Sequence, residues 1–88
     1  MNRNEMKIEF GSDPRNESFA RVVVASFMTR TNPTLEEVAD VKTAVSEAVT
    51  NSIIHGYGQK EGTIEIRAYI EERKLYIEIT DYGCGIED

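Results

Sequence analysis

The chain has 88 residues, 40% of them apolar and 30% charged, with sixteen acidic against ten basic side chains and a formal net charge of −6. That length holds one domain at most and buries roughly 60% of the surface its unfolded form exposes, so the core is thin. The acidic balance argues against a domain that holds nucleic acid by neutralising phosphates, and it favours a basic partner or a metal nucleotide. A single cysteine excludes an internal disulfide. No Cys/His cluster has zinc spacing, and no apolar run approaches the roughly 18 residues of a membrane span. The first residues lack the apolar region of a signal peptide, so the expected compartment is the cytoplasm.

Taken in chain order, Lys7-Ile8-Glu9-Phe10 alternates polar and apolar and stops at Gly11-Ser12-Asp13-Pro14, which predicts a short strand and a turn. From about Asn16 to Arg30, Phe19, Val22, Val23 and Phe27 recur at helical spacing, and Thr31-Asn32-Pro33 ends that helix. Thr34 with Glu37 three residues on forms a capping box, the start of a second helix. Leu35, Val38, Val41, Val45, Ala48 and Ser52 mark its inner side, and Gly56 stops it after about 22 residues, roughly 33 Å. Beyond the loop at 57–62, Ile64, Ile66, Ala68 and Ile70 alternate with polar residues, as do Leu75, Ile77 and Ile79 after the turn Glu71-Glu72-Arg73-Lys74. The expectation is a two-layer α+β sandwich, with two helices on the apolar face of an antiparallel hairpin.

The chemistry gathers in two places. Glu47, Asn51 and His55 stand at i, i+4 and i+8 of the second helix, so one stripe carries a carboxylate, an amide and an imidazole. Asp81 follows the last strand in the parity of Leu75, Ile77 and Ile79, which puts it on the side expected to face the core, where a carboxylate needs a partner. If the long helix lies over the hairpin, the two places line one cleft. Asn51 then offers a hard oxygen ligand for Mg²⁺, a cation that binds through one or two protein groups plus substrate phosphates. Glu47 is placed to hold a metal-bound water or to take a proton from an attacking hydroxyl. Asp81 accepts from an exocyclic amine such as that of adenine, and Gly83 and Gly85 let backbone approach a flat ring. Together these residues read as a site for ATP or ADP.

Glu-x-x-x-Asn followed by Asp-x-Gly-x-Gly resembles the first two nucleotide-binding boxes of the Bergerat-type, histidine-kinase-like ATPase fold. The longer string Ser46-Glu47-Ala48-Val49-Thr50-Asn51-Ser52-Ile53-Ile54-His55-Gly56-Tyr57, with Asn16-Glu17-Ser18-Phe19-Ala20-Arg21, is similar to the anti-sigma F family of sporulation serine kinases, and the likeness runs over nearly the whole chain. The resemblance implies Glu47 as catalytic base, Asn51 as Mg²⁺ ligand, Asp81 on adenine, and Gly83 and Gly85 in the pocket wall. It further implies that Glu17 and Arg21 help dock sigma F and an anti-anti-sigma substrate and that the protein dimerises; from its charge and the lack of an apolar span, no contact with nucleic acid or membrane is expected. The family's fold continues with a lid, a second glycine-rich box and closing strands, so residues 1–88 are expected to be the N-terminal portion of a single ATPase domain.

Plainer readings stand beside these. Glu47 and Asn51 also suit a solvated helix face, although Ala44, Ala48 and Ser52 beside them favour close approach by a sheet or ligand. His55 in a last helical turn fits a partner for the helix dipole, Cys84 an inert thiol, and Arg21 an ordinary surface charge. A non-catalytic dimerising module that binds a partner, and the related kinase of the general-stress sigma pathway, are the alternative functions.

Overall fold

The computed structural model describes residues 3–56 and 62–82, with the side chains of residues 55 and 56 excepted. Strand β1 spans Asn4–Gly11, helix α1 Asn16–Met28, helix α2 Leu35–Asn51, strand β2 Thr63–Glu71 and strand β3 Lys74–Tyr82. The sheet runs in the order β1-β2-β3, antiparallel throughout, with Ile8 opposite Ile66 and Ile66 opposite Ile79. Both helices lie on one face of it, giving the expected α+β sandwich in a slab 41 × 28 × 14 Å.

The core lies between the layers. Ile64 and Ile66 of β2 and Phe10 of β1 meet Ala20 and Val24 of α1 and Val45 and Val49 of α2, with Met6, Ile8, Val41, Ile53, Ile77 and Ile79 packed around them. Among the strands, central β2 supplies the fully buried residues, Ile64, Ile66 and Ala68, because it alone has a strand on either side. The opposite face of the sheet is polar, except where Tyr69 and Tyr76 stack at 4.8 Å beneath the guanidinium of Arg3.

Helix α1 differs from expectation in phase and in length. It buries Ala20, Val24, Phe27 and Met28, whereas Phe19 and Val22 are half exposed. The small Ala20 lets α1 come close to its neighbours, and Phe19 instead sets its ring edge-on against Phe10 at 6.2 Å. The α-helix ends at Met28, and Thr29–Thr31 tighten into a 3₁₀ turn that closes on Asn32 in the left-handed conformation.

Helix α2 begins as its sequence dictates. Thr34 Oγ1 accepts from the Glu37 amide at 3.0 Å while Glu37 Oε1 accepts from the Thr34 amide at 2.9 Å, so two orphan donors are satisfied reciprocally. Leu35 is 90% exposed, and Val45 and Val49 carry the burial. The winding reaches Gly56 as expected, but it loosens from α to π over Ser52–Gly56, immediately after Asn51.

A clasp joins the start of β2 to the end of β1. The Gly62 amide donates to Ser12 Oγ at 2.9 Å, and the Ser12 amide donates to the Gly62 carbonyl at 3.0 Å. At the far end of β2 the connection to β3 is a two-residue turn, Glu72-Arg73, with φ of 53° and 69°. Positive φ at both residues matches the right-handed twist of the strands, a role glycine and asparagine fill more easily.

Candidate functional site

Glu47 and Asn51 sit roughly 160° around α2 from the buried Val45 and Val49, because two residues of an α-helix turn through about 200°. Both are exposed. The stripe therefore lies on the side of the helix opposite those valines and is open to solvent. The physical reason is that the apolar valines claim the inner face, and the small residues Ala44, Ala48 and Ser52 flank the polar stripe. His55 lies at the end of this stripe within the π turn, and its side chain lies outside the described residues.

Asp81 is paired with Ile64 in the penultimate position of β3. The strand is longer than expected, reaching Tyr82, and Asp81 has the inner-face parity of Ile79 and Ile77. It is nevertheless exposed, and among the described residues its side chain makes no hydrogen bond or ion pair. The expectation of a buried carboxylate fails: Ile64, its partner on central β2, is buried in the core, whereas Asp81 on the outer strand is not. Gly83, Cys84 and Gly85 lie outside the described residues, so the ring-facing wall expected of the two glycines is not part of the geometry.

The neighbour Tyr82 points to the other face. Its hydroxyl donates to Glu65 Oε1 at 2.7 Å, and Glu65 is 8% exposed. Lys7 Nζ and Arg67 Nη2 stand 3.9 and 3.8 Å from Glu65 Oε2, so that carboxylate is surrounded by donors. This pairing anchors the end of β3 and with it the position of Asp81.

The groove beside Glu47 is built by both helices. A cavity of about 280 Å³ is lined by Arg21 of α1 and by Lys42, Thr43, Ser46 and Glu47 of α2. Arg21 Nε lies 3.3 Å from Glu17 Oε2, one turn earlier in α1. Neither atom is exposed, and neither makes a hydrogen bond, so the contact is an ion pair without hydrogen-bond alignment. Glu17 and Arg21, expected at a partner surface, are thus held together, and Arg21 shares its groove with the expected base. Sequence reasoning missed Lys42, Thr43 and Ser46. Their spacing with Glu47, at i, i+1, i+4 and i+5, is the signal of one helix face.

Among the described residues no three His, Cys, Asp or Glu side chains converge on a metal position. A solitary amide oxygen at Asn51, exposed and without a side-chain partner, suits a cation that takes most of its ligands from water and phosphate. Among the described residues no helix is long and apolar enough to cross a membrane.

Comparison with known proteins gives a consistent result. Residues 10–88 match the family model described as the histidine kinase-like ATPase domain. The chain is 61% identical over 85 residues to the anti-sigma F factor of Clostridium kluyveri, covering 97% of this chain and 60% of that relative. It is 58% identical over 89 residues to the anti-sigma F factor of Clostridium novyi, covering 100% of this chain and 62% of the relative. With that of Thermoanaerobacter sp. strain X514 it shares 59% identity over 85 residues, 97% of this chain and 59% of the relative. The chain therefore spans about three-fifths of the length of the curated relatives it matches.

Proposed function

The chain belongs to the histidine kinase-like ATPase family, and on that premise we propose that it is the N-terminal portion of an anti-sigma factor that binds Mg-ATP, sequesters sigma F and phosphorylates a serine of an anti-anti-sigma protein. One observation supports this reading above the rest: Glu47 and Arg21, expected respectively to take a proton and to dock a protein, line one groove. A kinase acting on a protein surface needs its base within reach of the docked acceptor. The name shared by these relatives favours the sigma F partner over the kinase of the stress pathway.

Bound Mg-ATP supplies the phosphoryl group and the charge that holds it. Asn51 offers its amide oxygen to the metal from an open helix face. Glu47, four residues earlier and also open to solvent, takes the proton of the acceptor serine as its oxygen attacks. Asp81 accepts from the adenine amino group, a charge-assisted bond contributing roughly 1.5–3 kcal/mol, with Gly83 and Gly85 in the wall of the ring's pocket. Arg21, held by Glu17, meets the partner at the rim. A homodimer in the cytoplasm completes the proposal.

Isothermal titration of the chain with Mg-ADP, beside Asp81→Asn, tests the pocket. Saturable binding that disappears in the variant is expected, and equal affinity in both removes Asp81 from the site. Glu47→Ala should keep nucleotide binding and lose phosphotransfer when placed in the full-length protein. Arg21→Ala should lose partner binding with Mg-ADP affinity unchanged. Partner binding indifferent to the nucleotide would favour the non-catalytic module.

A further inference from the structure

At the end of the slab where the β2-β3 turn meets the α1-α2 connection, four residues enclose a cavity of about 220 Å³: Arg30, Thr31, Asn32 and Arg73. Two arginines from distant parts of the chain line it. Neither has a carboxylate partner among the described residues, and Arg30 touches only the ring of Phe27, at 5.5 Å. On a chain with sixteen acidic residues and ten basic ones, two arginines brought together without an acid are against the statistical grain. Both charges line one cavity without a counter-charge among the described residues.

The backbone that creates the cavity is unusual on both sides. Arg73 is delivered by the turn in which it and Glu72 both have positive φ, and Asn32 closes the 3₁₀ turn in the left-handed conformation with φ 57°. Non-glycine residues held in that region mark places where the fold over-determines a local conformation. Thr31 Oγ1 already donates to the Met28 carbonyl at 2.9 Å, so its role in the cavity is that of a wall. The Asn32 side chain, without a partner among the described residues, adds an amide donor.

The geometry points to a phosphate-binding site formed by Arg30, Asn32 and Arg73, separate from the proposed nucleotide site. Each guanidinium is a planar fork that engages two oxygens, so two forks together exceed the two oxygens and single charge of a carboxylate and match the three oxygens and double charge of a phosphate monoester. The acids nearby do not fill the role. Arg73 also borders a larger cavity lined in part by Glu37 and Asp40, but Glu37 is engaged with the Thr34 amide. Asp40 makes no described ion pair, and it is the intramolecular competitor for Arg73.

The test is titration of the ¹⁵N-labelled chain with inorganic phosphate at constant ionic strength, followed by NMR. Saturable shifts are expected at the Thr31, Asn32 and Arg73 amides and at the Arg30 and Arg73 Nε–H groups. Arg30→Gln and Arg73→Gln should each weaken binding roughly tenfold or more, with the rest of the spectrum unchanged. Asp40→Asn should bind phosphate at least as tightly as the parent. Shifts that track chloride equally, shifts confined to Glu47–Asn51, equal binding of acetate, or glutamine variants with parental affinity would each overturn the proposal. Two separate arginine variants keep the test decisive if one of them disturbs the fold.

Discussion

The Tyr82 hydroxyl donates to Glu65 Oε1 across the polar face of the sheet at 2.7 Å, and so the residue next to Asp81 is tied to central β2. Donation to that carboxylate, with burial adding to it, raises the Tyr82 phenol above its ordinary 10.0. A group whose pKa is higher in the folded state contributes stability that is complete below its unfolded value and is lost as pH rises through the folded value. Tyr82→Phe should therefore lower the Tm at neutral pH and flatten the fall in stability above pH 10. It should also weaken Mg-ADP binding, because Asp81 loses its anchor. Thermal unfolding across the alkaline range and calorimetric titration measure the two effects.

The entry to α1 has the opposite pH signature. Asp13 accepts from Arg15 Nε and Nη2 and from the Arg15 amide, at distances from 2.7 to 3.2 Å, and these bonds lower its pKa from 3.8 to about 2. A depressed carboxylate stabilises the fold above its unfolded pKa and stops doing so as pH falls through the folded value. In Asp13→Asn the loss of stability between 3.8 and about 2 should be shallower than in the parent. Denaturant midpoints taken through that window provide the measurement.

The Glu72-Arg73 turn holds two side-chain-bearing residues in the left-handed region. Each costs about 1–2 kcal/mol relative to glycine there. Replacing the pair by Asn-Gly, the favoured sequence for such a turn, should raise the urea midpoint by roughly 1 kcal/mol or more of stability without changing the slope. The same double variant should lose phosphate binding at Arg30, which separates the turn's ligand role from its structural strain.

Thr34→Ala removes one half of the capping box and leaves the Glu37 amide without its acceptor. A loss of about 1 kcal/mol is expected. In a thin domain of modest total stability that lowers the Tm by several degrees, readable by circular dichroism.

Much of the fold is legible in the sequence. Thr34 and Glu37 announced a helix start because capping is a local interaction between residues three apart. Ile64, Ile66 and Ala68 announced a buried strand face because alternation survives any tertiary context. Phe19 and Val22 misled because both Ala20 and Phe19 stand near a helical stripe, and only the closeness of α1 to its neighbours selects the smaller residue for the core. The candidate site was legible as chemistry and not as placement. Glu47 and Asn51 share a face, as their spacing requires, but which way that face points depends on Val45 and Val49, and Val49 was not among the residues read as inward. Asp81 has the right parity for burial, yet parity says nothing about how much of an outer strand the core covers. The Arg21–Glu47 groove and the Arg30–Arg73 cavity each join residues more than twenty positions apart, so no local pattern could reveal them.

The order of the sheet also sets a hierarchy in time. β2 lies between β1 and β3, whereas each outer strand has one side unpaired among the described residues. Amide protons of β2 are released only when a neighbouring strand leaves, and those on the outer edges are open to solvent without any such event. Deuterium should therefore reach the outward amides of β3, the strand that carries Asp81, well before it reaches Ile64 or Ile66. The end of the molecule proposed to hold the nucleotide thus belongs to the fast-exchanging part of the sheet, where a bound ligand would register as slowed exchange.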